Sequence, residues 1–254
     1  MATYKKRGYK PKTKKEKEVV VEESSATAEV FNTLDEGASK TEEWFEKNQK
    51  YIIGAIAAIA VVVLGFLGYN RFIAEPTQKE AMNDMYQAKK YFEDAANGIS
   101  SDSLYNMALN GGEGKYGMLD IVNNYGGTPA GNLANYYAGM AYLNLKDYQN
   151  AVNYLGDFSS EDKMLGPIAK GGIGDAFVQL EQLPEALEYY EKAFKANVND
   201  FTTPMYLLKA ARVAIDLGEN KKALDYLNRI KSEFDGSTQA NEVDVLIGKV
   251  EASL

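Results

Sequence analysis

Residues 139–155 read GMAYLNLKDYQNAVNYL, and the pattern of this stretch returns twice further along the chain, at 174–190 and 211–227. Each copy starts with small and aromatic residues at helical spacing, passes through a short polar turn, and ends in an Ala-led apolar helix pattern. The copies are 35 and 37 residues apart. Self-similarity at this period predicts stacked helix hairpins, in which small residues let paired helices approach and aromatic side chains fill the remaining space.

This spacing resembles the tetratricopeptide repeat (TPR), a helix–turn–helix unit of about 34 residues. The motif of a small residue followed three positions later by an aromatic one is present in Gly139–Tyr142 and Gly174–Phe177, while Ala214 replaces the aromatic residue in the third copy. The early Trp or Leu of the family is Asn135 and Lys170 in the first two copies, and the late Pro is missing. The resemblance covers residues 132–237 and implies three repeats with a shared concave face.

A second feature, YIIGAIAAIAVVVLGFLGYN at 51–70, has no charged residue and lies between Lys50 and Arg71. At about 1.5 Å per residue, a helix of this length spans ~30 Å, the thickness of the hydrocarbon core of a bilayer. A cleaved signal peptide and a buried core helix are the alternatives, but the run is longer than a signal peptide's apolar region and carries no charge. The expected anchor residues are Tyr51, Gly54, Ala58, Gly65 and Tyr69, and the Gly54-x-x-x-Ala58 spacing suits packing against another membrane helix.

The chain is therefore expected to be all-α, with a single N-terminal transmembrane helix followed by a TPR-like α-solenoid of helix hairpins. The expected divisions are a basic, disordered cytoplasmic tail at 1–25, an amphipathic juxtamembrane segment at 26–50, the transmembrane helix at 51–70, a degenerate helical repeat region at 71–131, three TPR-like repeats at 132–237 and a capping helix at 238–254.

Basic residues near the N-terminus predict the orientation. Eight of the first 17 residues are Lys or Arg, against the single acid Glu16. Because short basic segments stay in the cytoplasm, the N-terminus is predicted to be cytoplasmic and the C-terminal domain translocated, although Arg71 on the far side opposes this assignment. The tail is either a topology signal alone or a contact for anionic lipid or ribosomal RNA.

Composition removes several classes of function. The chain has no Cys and no His, so disulfides, thiolate metal sites and histidine general bases are absent. The residues after 70 have a net charge of −9, which disfavours a specific nucleic-acid partner for the C-terminal domain. The segment Gly112–Gly117 matches G-x-G-x-x-G, but a helix pattern precedes it where a dinucleotide fingerprint needs a strand. We therefore expect a protein without enzymatic activity or cofactor.

A binding groove is the expected alternative to catalysis. In TPR arrays, the concave surface is formed by first-helix positions that do not carry the packing motif, and a mixed groove of this kind suits a client or partner polypeptide. The resemblance places these candidates at Tyr136, Met140 and Asn144 in the first repeat, at Asp175, Val178 and Gln179 in the second, and at Leu208, Arg212 and Asp216 in the third.

The order of charged tail, anchor and short array, with the segments Leu119–Tyr125, Gly131–Ala134 and Tyr136–Tyr142, resembles the YfgM-like anchored repeat proteins of bacteria. That resemblance implies an accessory subunit of the SecYEG translocon in the inner membrane. Its periplasmic repeat domain would recruit or coordinate a membrane-anchored chaperone for emerging polypeptides. A scaffold for another cell-envelope complex, and a cytoplasm-facing stress-response regulator, remain the alternatives.

Overall fold

The structure is a computed structural model, and it describes residues 26–98 and 102–252. The expected basic tail at 1–25 lies outside these residues. The described part contains helices and one isolated antiparallel bridge, but no strand. The helices are α1 (Ala26–Tyr69), a π-helical turn (Asn70–Ala74), α2 (Glu75–Ala96), α3 (Asp102–Asn110), α4 (Met118–Tyr125), α5 (Pro129–Asn144), α6 (Tyr148–Asp157), α7 (Leu165–Gln179), α8 (Leu183–Ala196), α9 (Thr202–Asp216), α10 (Asn220–Glu233), a 3-10 turn (Thr238–Glu242) and α11 (Val243–Glu251).

The chain divides into two compact units, one ending at Tyr69 and the other beginning at Asn70. The first unit contains α1, a single helix of 44 residues that includes both the expected juxtamembrane segment and the apolar run. The apolar run of this helix is exposed within the unit: Ile56 is 61% exposed and Val62 is 71% exposed. This exposure contrasts with the second unit, where apolar side chains form a core.

Three hairpins form most of the second unit. They pair α5 with α6, α7 with α8, and α9 with α10, and each hairpin also packs against the next. The all-α fold of stacked hairpins that the sequence predicts is confirmed. The region expected at 71–131 to be a degenerate helical repeat contains α2 and α4, and both pack against α5. The segment expected at 238–254 to be a capping helix starts with the 3-10 turn, and its helix α11 packs against α10.

The three hairpins share one turn geometry. Lys146, Glu181 and Gly218 follow the first helices with φ of 65°, 60° and 74°. In the first hairpin, the amide of Asp147 donates to the carbonyl of Tyr142 at 2.9 Å, and the same bond recurs in the other two. This is the helix-ending Schellman motif, in which a left-handed residue lets two amides cap the last turn. The repeat is thus preserved in the backbone even where the sequence lacks Gly.

The first helices begin at side-chain caps. Thr128 Oγ1 accepts a hydrogen bond from the amide of Gly131, at the start of α5. Asp162 Oδ1 accepts from the amides of Met164 and Leu165, and Asn199 Oδ1 accepts from two amides at the start of α9. Such caps satisfy amides that have no partner inside the helix. A Pro lies near the start of each of these three helices, where its missing N–H costs least.

Close approach of helices depends on two glycines of α7. A Cβ on Gly174 would lie 2.6 Å from the ring of Tyr190 in α8, and a Cβ on Gly171 would lie 1.9 Å from the ring of Tyr206 in α9. Both tyrosines are 3% exposed, and their rings stack with centroids 6.2 Å apart. The small residues of α7 therefore determine where both neighbouring helices lie, and with them the positions of the side chains discussed next.

Candidate functional site

The predicted groove residues lie on the first helices α5, α7 and α9, and α7 contacts both of the others. Leu208 differs from the expectation: it is 7% exposed and belongs to the core of the last hairpins, so it does not line a surface groove. The others are accessible to different extents. Asn144, Gln179, Arg212 and Asp216 are exposed, while Tyr136, Met140, Asp175 and Val178 are half-buried.

Asp175 is the centre of a polar cluster that joins α7, α8 and α9. Its Oδ1 accepts a hydrogen bond of 2.6 Å from the Tyr190 hydroxyl, and both of its carboxylate oxygens lie 2.7 Å from the Lys209 ammonium. The Lys209 Nζ also lies 5.8 Å and 5.7 Å from the ring centroids of Tyr190 and Tyr206. We call Asp175, Tyr190, Tyr206 and Lys209 the Asp175 cluster. It holds one carboxylate and one ammonium at the surface in fixed positions.

Burial and the nearby carboxylate shift the titration of these tyrosines. Burial, followed by the charge of Asp175 and its hydrogen bond, raises the pKa of Tyr190 far above its ordinary value. Burial also raises the pKa of Tyr206, with contributions from Asp175 and Tyr136. Both hydroxyls therefore stay protonated at neutral pH, and the Tyr190 hydroxyl donates a hydrogen bond to Asp175. Tyr136 of α5 packs against the small core that contains Ala169 and Ile173 of α7, the helix that also carries Asp175.

Tyr136 extends the same surface with aromatic side chains. Its ring lies 5.2 Å from that of Phe158 and 5.6 Å from that of Tyr137, between centroids. Tyr137 in turn makes an edge-to-face contact with Phe92 at 5.1 Å. Aromatic pairs of this kind fix ring orientation. The exposed edge of Tyr136 therefore belongs to a rigid layer, which reduces the entropy cost of binding a partner there.

The remaining predicted residues make local contacts. Arg212 forms an ion pair with Glu242 of the 3-10 turn. Gln179 accepts a weak hydrogen bond of 3.3 Å from the Tyr148 hydroxyl, and the Asn144 amide group donates to the carbonyl of Met140 in its own helix. Among the described residues, Asp216 has no side-chain partner. The structure thus places Tyr136 and Asp175 on the contacting helices α5 and α7. Asn144, Gln179 and Arg212 make separate polar contacts, and Asp216 makes none with the described residues.

Sequence reasoning missed Lys209 as part of this surface, and it missed the buried Tyr190 and Tyr206 that lie beneath it. Tyr206 and Lys209 are three residues apart on α9, so they share a helix face, and this spacing was the available signal. The pairing of Lys209 with Asp175 spans 34 residues and depends on how α7 packs against α9.

The comparisons with known proteins agree with this architecture. Two models of the tetratricopeptide repeat match the chain, one over residues 133–162 and the other over residues 172–238. These ranges contain α6, α8, α9 and α10 completely, α5 from Leu133 onward and α7 from Gly172 onward. The chain contains tetratricopeptide repeats. Neither the curated proteins nor the solved structures gave a significant match. Stacked TPR units form extended concave surfaces that bind other proteins, so the TPR domain is a protein-interaction scaffold.

The apolar part of α1 is the second candidate site. Within the described part of the chain, one helical segment is long and apolar enough to cross a membrane; its most apolar window has a mean hydropathy of 2.5, and none of it is buried. Tyr51 and Tyr69, at the two ends of the run, are 80% and 57% exposed. A Cβ at Gly54 or Gly65 would meet no other atom within 4 Å, so these glycines leave a shallow, unfilled helix surface.

The part of the chain that the structure describes gives little support to a metal site or a nucleotide-binding loop. No cluster of three or more acidic residues there could hold a metal ion. The Gly112–Gly117 segment follows α3, a helix, and forms a tight turn with a Gly112–Lys115 bridge. Gly111, Glu113 and Gly114 adopt positive φ in this turn. It therefore lacks the strand–turn–helix context of a nucleotide-binding loop.

Proposed function

We propose that this protein is a non-enzymatic, single-pass membrane-anchored TPR scaffold, and that it serves as an accessory subunit of the Sec protein-translocation channel in the bacterial inner membrane. In this role it recruits or coordinates periplasmic chaperones for emerging polypeptides. The observation that carries the proposal is the combination in one chain of a fully exposed apolar helix and a TPR domain. An apolar helix of this length is stable only if lipid or another protein covers it.

The orientation rests on the charge pattern. The basic residues between Lys5 and Lys17 favour a cytoplasmic N-terminus, so the TPR domain lies on the periplasmic side. The basic tail and the transmembrane helix contact membrane lipids, and the acidic TPR domain has no specific nucleic-acid partner.

Two surfaces serve different partners in this proposal. The anchor, with Tyr51, Gly54, Ala58, Gly65 and Tyr69, packs beside the channel, where the small residues let a second membrane helix approach. The face around Tyr136 and the Asp175 cluster binds a client or partner polypeptide through aromatic contacts and hydrogen bonds. A scaffold that holds both partners raises the local concentration of the chaperone at the channel exit.

Affinity purification of the full-length protein in mild detergent, followed by mass spectrometry, tests this function. We expect SecYEG-type channel subunits and a membrane-anchored chaperone to be enriched over a matched control in which Gly54 and Ala58 are both replaced by Leu. Recovery of another cell-envelope complex without channel subunits would contradict the Sec assignment and favour the alternative envelope scaffold.

A separate experiment tests the orientation. The natural chain has no Cys, so a single Cys introduced at Thr3 or at Gln239 is the only thiol present. A membrane-impermeant maleimide added to intact spheroplasts should label the Gln239→Cys variant and leave the Thr3→Cys variant unlabelled until the membrane is opened. The reverse pattern would contradict a periplasmic TPR domain and support a cytoplasm-facing regulator.

A further inference from the structure

A cleft of about 120 Å³ lies between the second helices of the first two hairpins, α6 and α8, with α7 at its floor. Its apolar floor contains Leu155, Ala169 and Ile173, and its rim contains Gly156, Ser160, Lys170, Tyr189 and Lys192. None of the predicted groove residues lines it. A volume of this size is close to that of a cavity that holds one small ring or one side chain.

The corresponding position between the next two second helices, α8 and α10, is filled by the protein itself. Glu191 accepts a hydrogen bond of 2.6 Å from the Tyr226 hydroxyl and one of 2.5 Å from the Lys195 ammonium. Lys222 lies 3.8 Å from the same carboxylate. Although burial opposes ionisation, the hydrogen bonds from Lys195 and Tyr226 lower the pKa of Glu191. This site is therefore a carboxylate-binding site whose occupant is a glutamate side chain.

The repeat relates the two positions residue by residue. The alanines at 151, 186 and 223 correspond, so Tyr189 corresponds to Tyr226, and Gly156 corresponds to Glu191. In the first cleft, the carboxylate-bearing side chain is thus missing. A Cβ at Gly156 would meet no atom within 4 Å, so its side-chain position is open. The Tyr189 hydroxyl makes no hydrogen bond to any described residue.

Positive charge is retained in the first cleft on different residues. Ser160 is the residue that corresponds to Lys195 of the next repeat. Glu185 corresponds to Lys222, but it does not line the cleft. Lys170 lines it instead and has no acidic partner within the described ranges. Lys192 also lines it, with its ammonium 2.6 Å from Glu188 and 4.4 Å from the centre of the Tyr189 ring. The cleft therefore offers a hydroxyl donor and an unpaired ammonium.

The wall of the cleft is held in place before any ligand arrives. Phe158 and Ser160 of the wall flank Ser159, whose backbone makes two hydrogen bonds with Asn132: its amide donates to Oδ1 at 3.0 Å, and its carbonyl accepts from Nδ2 at 2.8 Å. A wall fixed in this way lowers the ordering cost of binding.

From these observations we infer that the cleft between α6 and α8 binds a glutamate side chain of a partner polypeptide, which occupies the position that Glu191 fills in the next repeat. The methylene groups contact Leu155 and Ile173, and the carboxylate accepts hydrogen bonds from Tyr189 and Lys170. A polypeptide is the source because the occupant of the equivalent position is itself a glutamate side chain on a helix. This site is independent of the Sec assignment, since it rests on the repeat alone.

Methyl NMR of the full-length chain in detergent micelles, labelled at isoleucine, tests this inference. N-acetyl-glutamate N-methylamide should shift the Ile173 methyl signal in a saturable way and leave the Ile121 signal of α4 unchanged. The matching glutamine derivative should bind at least about ten-fold more weakly, because it lacks the charge-assisted hydrogen bonds. Equal binding of the two derivatives, or no shift at Ile173, would overturn the inference. Propionate binding as tightly as the capped glutamate would reject a polypeptide as the source.

Variants give a second, independent readout. Gly156→Glu should fill the cleft internally and abolish the Ile173 shift, whereas Gly156→Gln should reduce it less. Gly156→Glu should also raise the unfolding temperature relative to Gly156→Gln, and this difference should disappear in a Tyr189→Phe background. If Gly156→Glu and Gly156→Gln behave alike in both assays, the carboxylate has no specific site in this cleft.

Discussion

Gly171→Ala should destabilise the TPR domain, although the same change usually stabilises a helix. Alanine in place of glycine in a helix interior contributes about 1 kcal/mol of stabilisation. Here the new Cβ would lie 1.9 Å from Cε1, 2.1 Å from Cζ and 2.5 Å from the hydroxyl of Tyr206. No ring accepts a methyl group at these distances, so Tyr206 or α9 must move.

The environment of Tyr206 resists this movement. The ring is 3% exposed and is stacked on Tyr190. The Lys209 ammonium lies 5.7 Å from the centre of the ring. Overpacking in such a core costs about 1–3 kcal/mol, and loss of the aromatic pair adds about 0.5–1.5 kcal/mol. After the helix-propensity gain is subtracted, we expect Gly171→Ala to lower the free energy of unfolding by about 0.5–3.5 kcal/mol.

Urea unfolding of the full-length protein in micelles, followed by near-ultraviolet circular dichroism of the tyrosines, measures this loss. Gly248→Ala in α11 is the matched control, because its Cβ would meet no atom within 4 Å. The control should be as stable as the natural protein or more stable. A Tyr206→Leu background should reduce the cost of Gly171→Ala, because the clashing ring is gone. If Gly171→Ala is as stable as the control, the packing argument for α7 and α9 is refuted.

Three further predictions concern the turns, the internal carboxylate and the anchor. Lys146→Gly should raise the free energy of unfolding by up to about 1 kcal/mol, because glycine adopts the positive φ of 65° without strain, and thermal unfolding should show a higher midpoint. Glu191→Gln should lower stability at neutral pH by less than about 1 kcal/mol. Because the pKa of Glu191 lies below the ordinary 4.5, its contribution is present above that pH and lost as the pH falls further, so unfolding curves of the two proteins should converge in acid. Leu64→Arg should make the free energy of membrane insertion about 3 kcal/mol less favourable. Carbonate extraction should therefore release this variant, while the Leu64→Ala variant stays in the membrane. Retention of Leu64→Arg in the membrane pellet would count against a spanning helix.

The repeat was predictable from the sequence because its packing is local. A small residue on the first helix and its large partner on the second recur at a fixed offset, as in Gly139 with Leu155 and Gly174 with Tyr190, since each hairpin must bring its own two helices close together. The apolar run was predictable for a similar reason, because composition and length alone define it.

The details of the binding surfaces were harder to predict because they depend on neighbouring hairpins. Predicting the ion pair between Asp175 and Lys209 requires knowing how α9 is oriented against α7. The burial of Leu208 has the same origin, since its helix face is covered by the last hairpins. The left-handed turns at Lys146 and Glu181 carry no Gly, so their conformation follows from the hairpin geometry rather than from residue type.

The significance of Gly156 also needed the structure. In the sequence it is one of 22 glycines, and it lies near the end of a helix where glycine is common. Only the contact between Glu191 and Tyr226 in the next repeat shows which side chain Gly156 lacks.

Site-specific photo-crosslinking in living cells tests the central claim most directly, because it reports contacts of the intact protein in its own membrane. A photoreactive amino acid at Ala58 lies within the proposed membrane interface, and one at Asp216 lies on the TPR domain. We predict that Ala58 yields an adduct with a subunit of the Sec channel, and that Asp216 yields adducts with a chaperone or an exported polypeptide. Adducts from Ala58 with a different envelope complex, and none with the channel, would contradict the account.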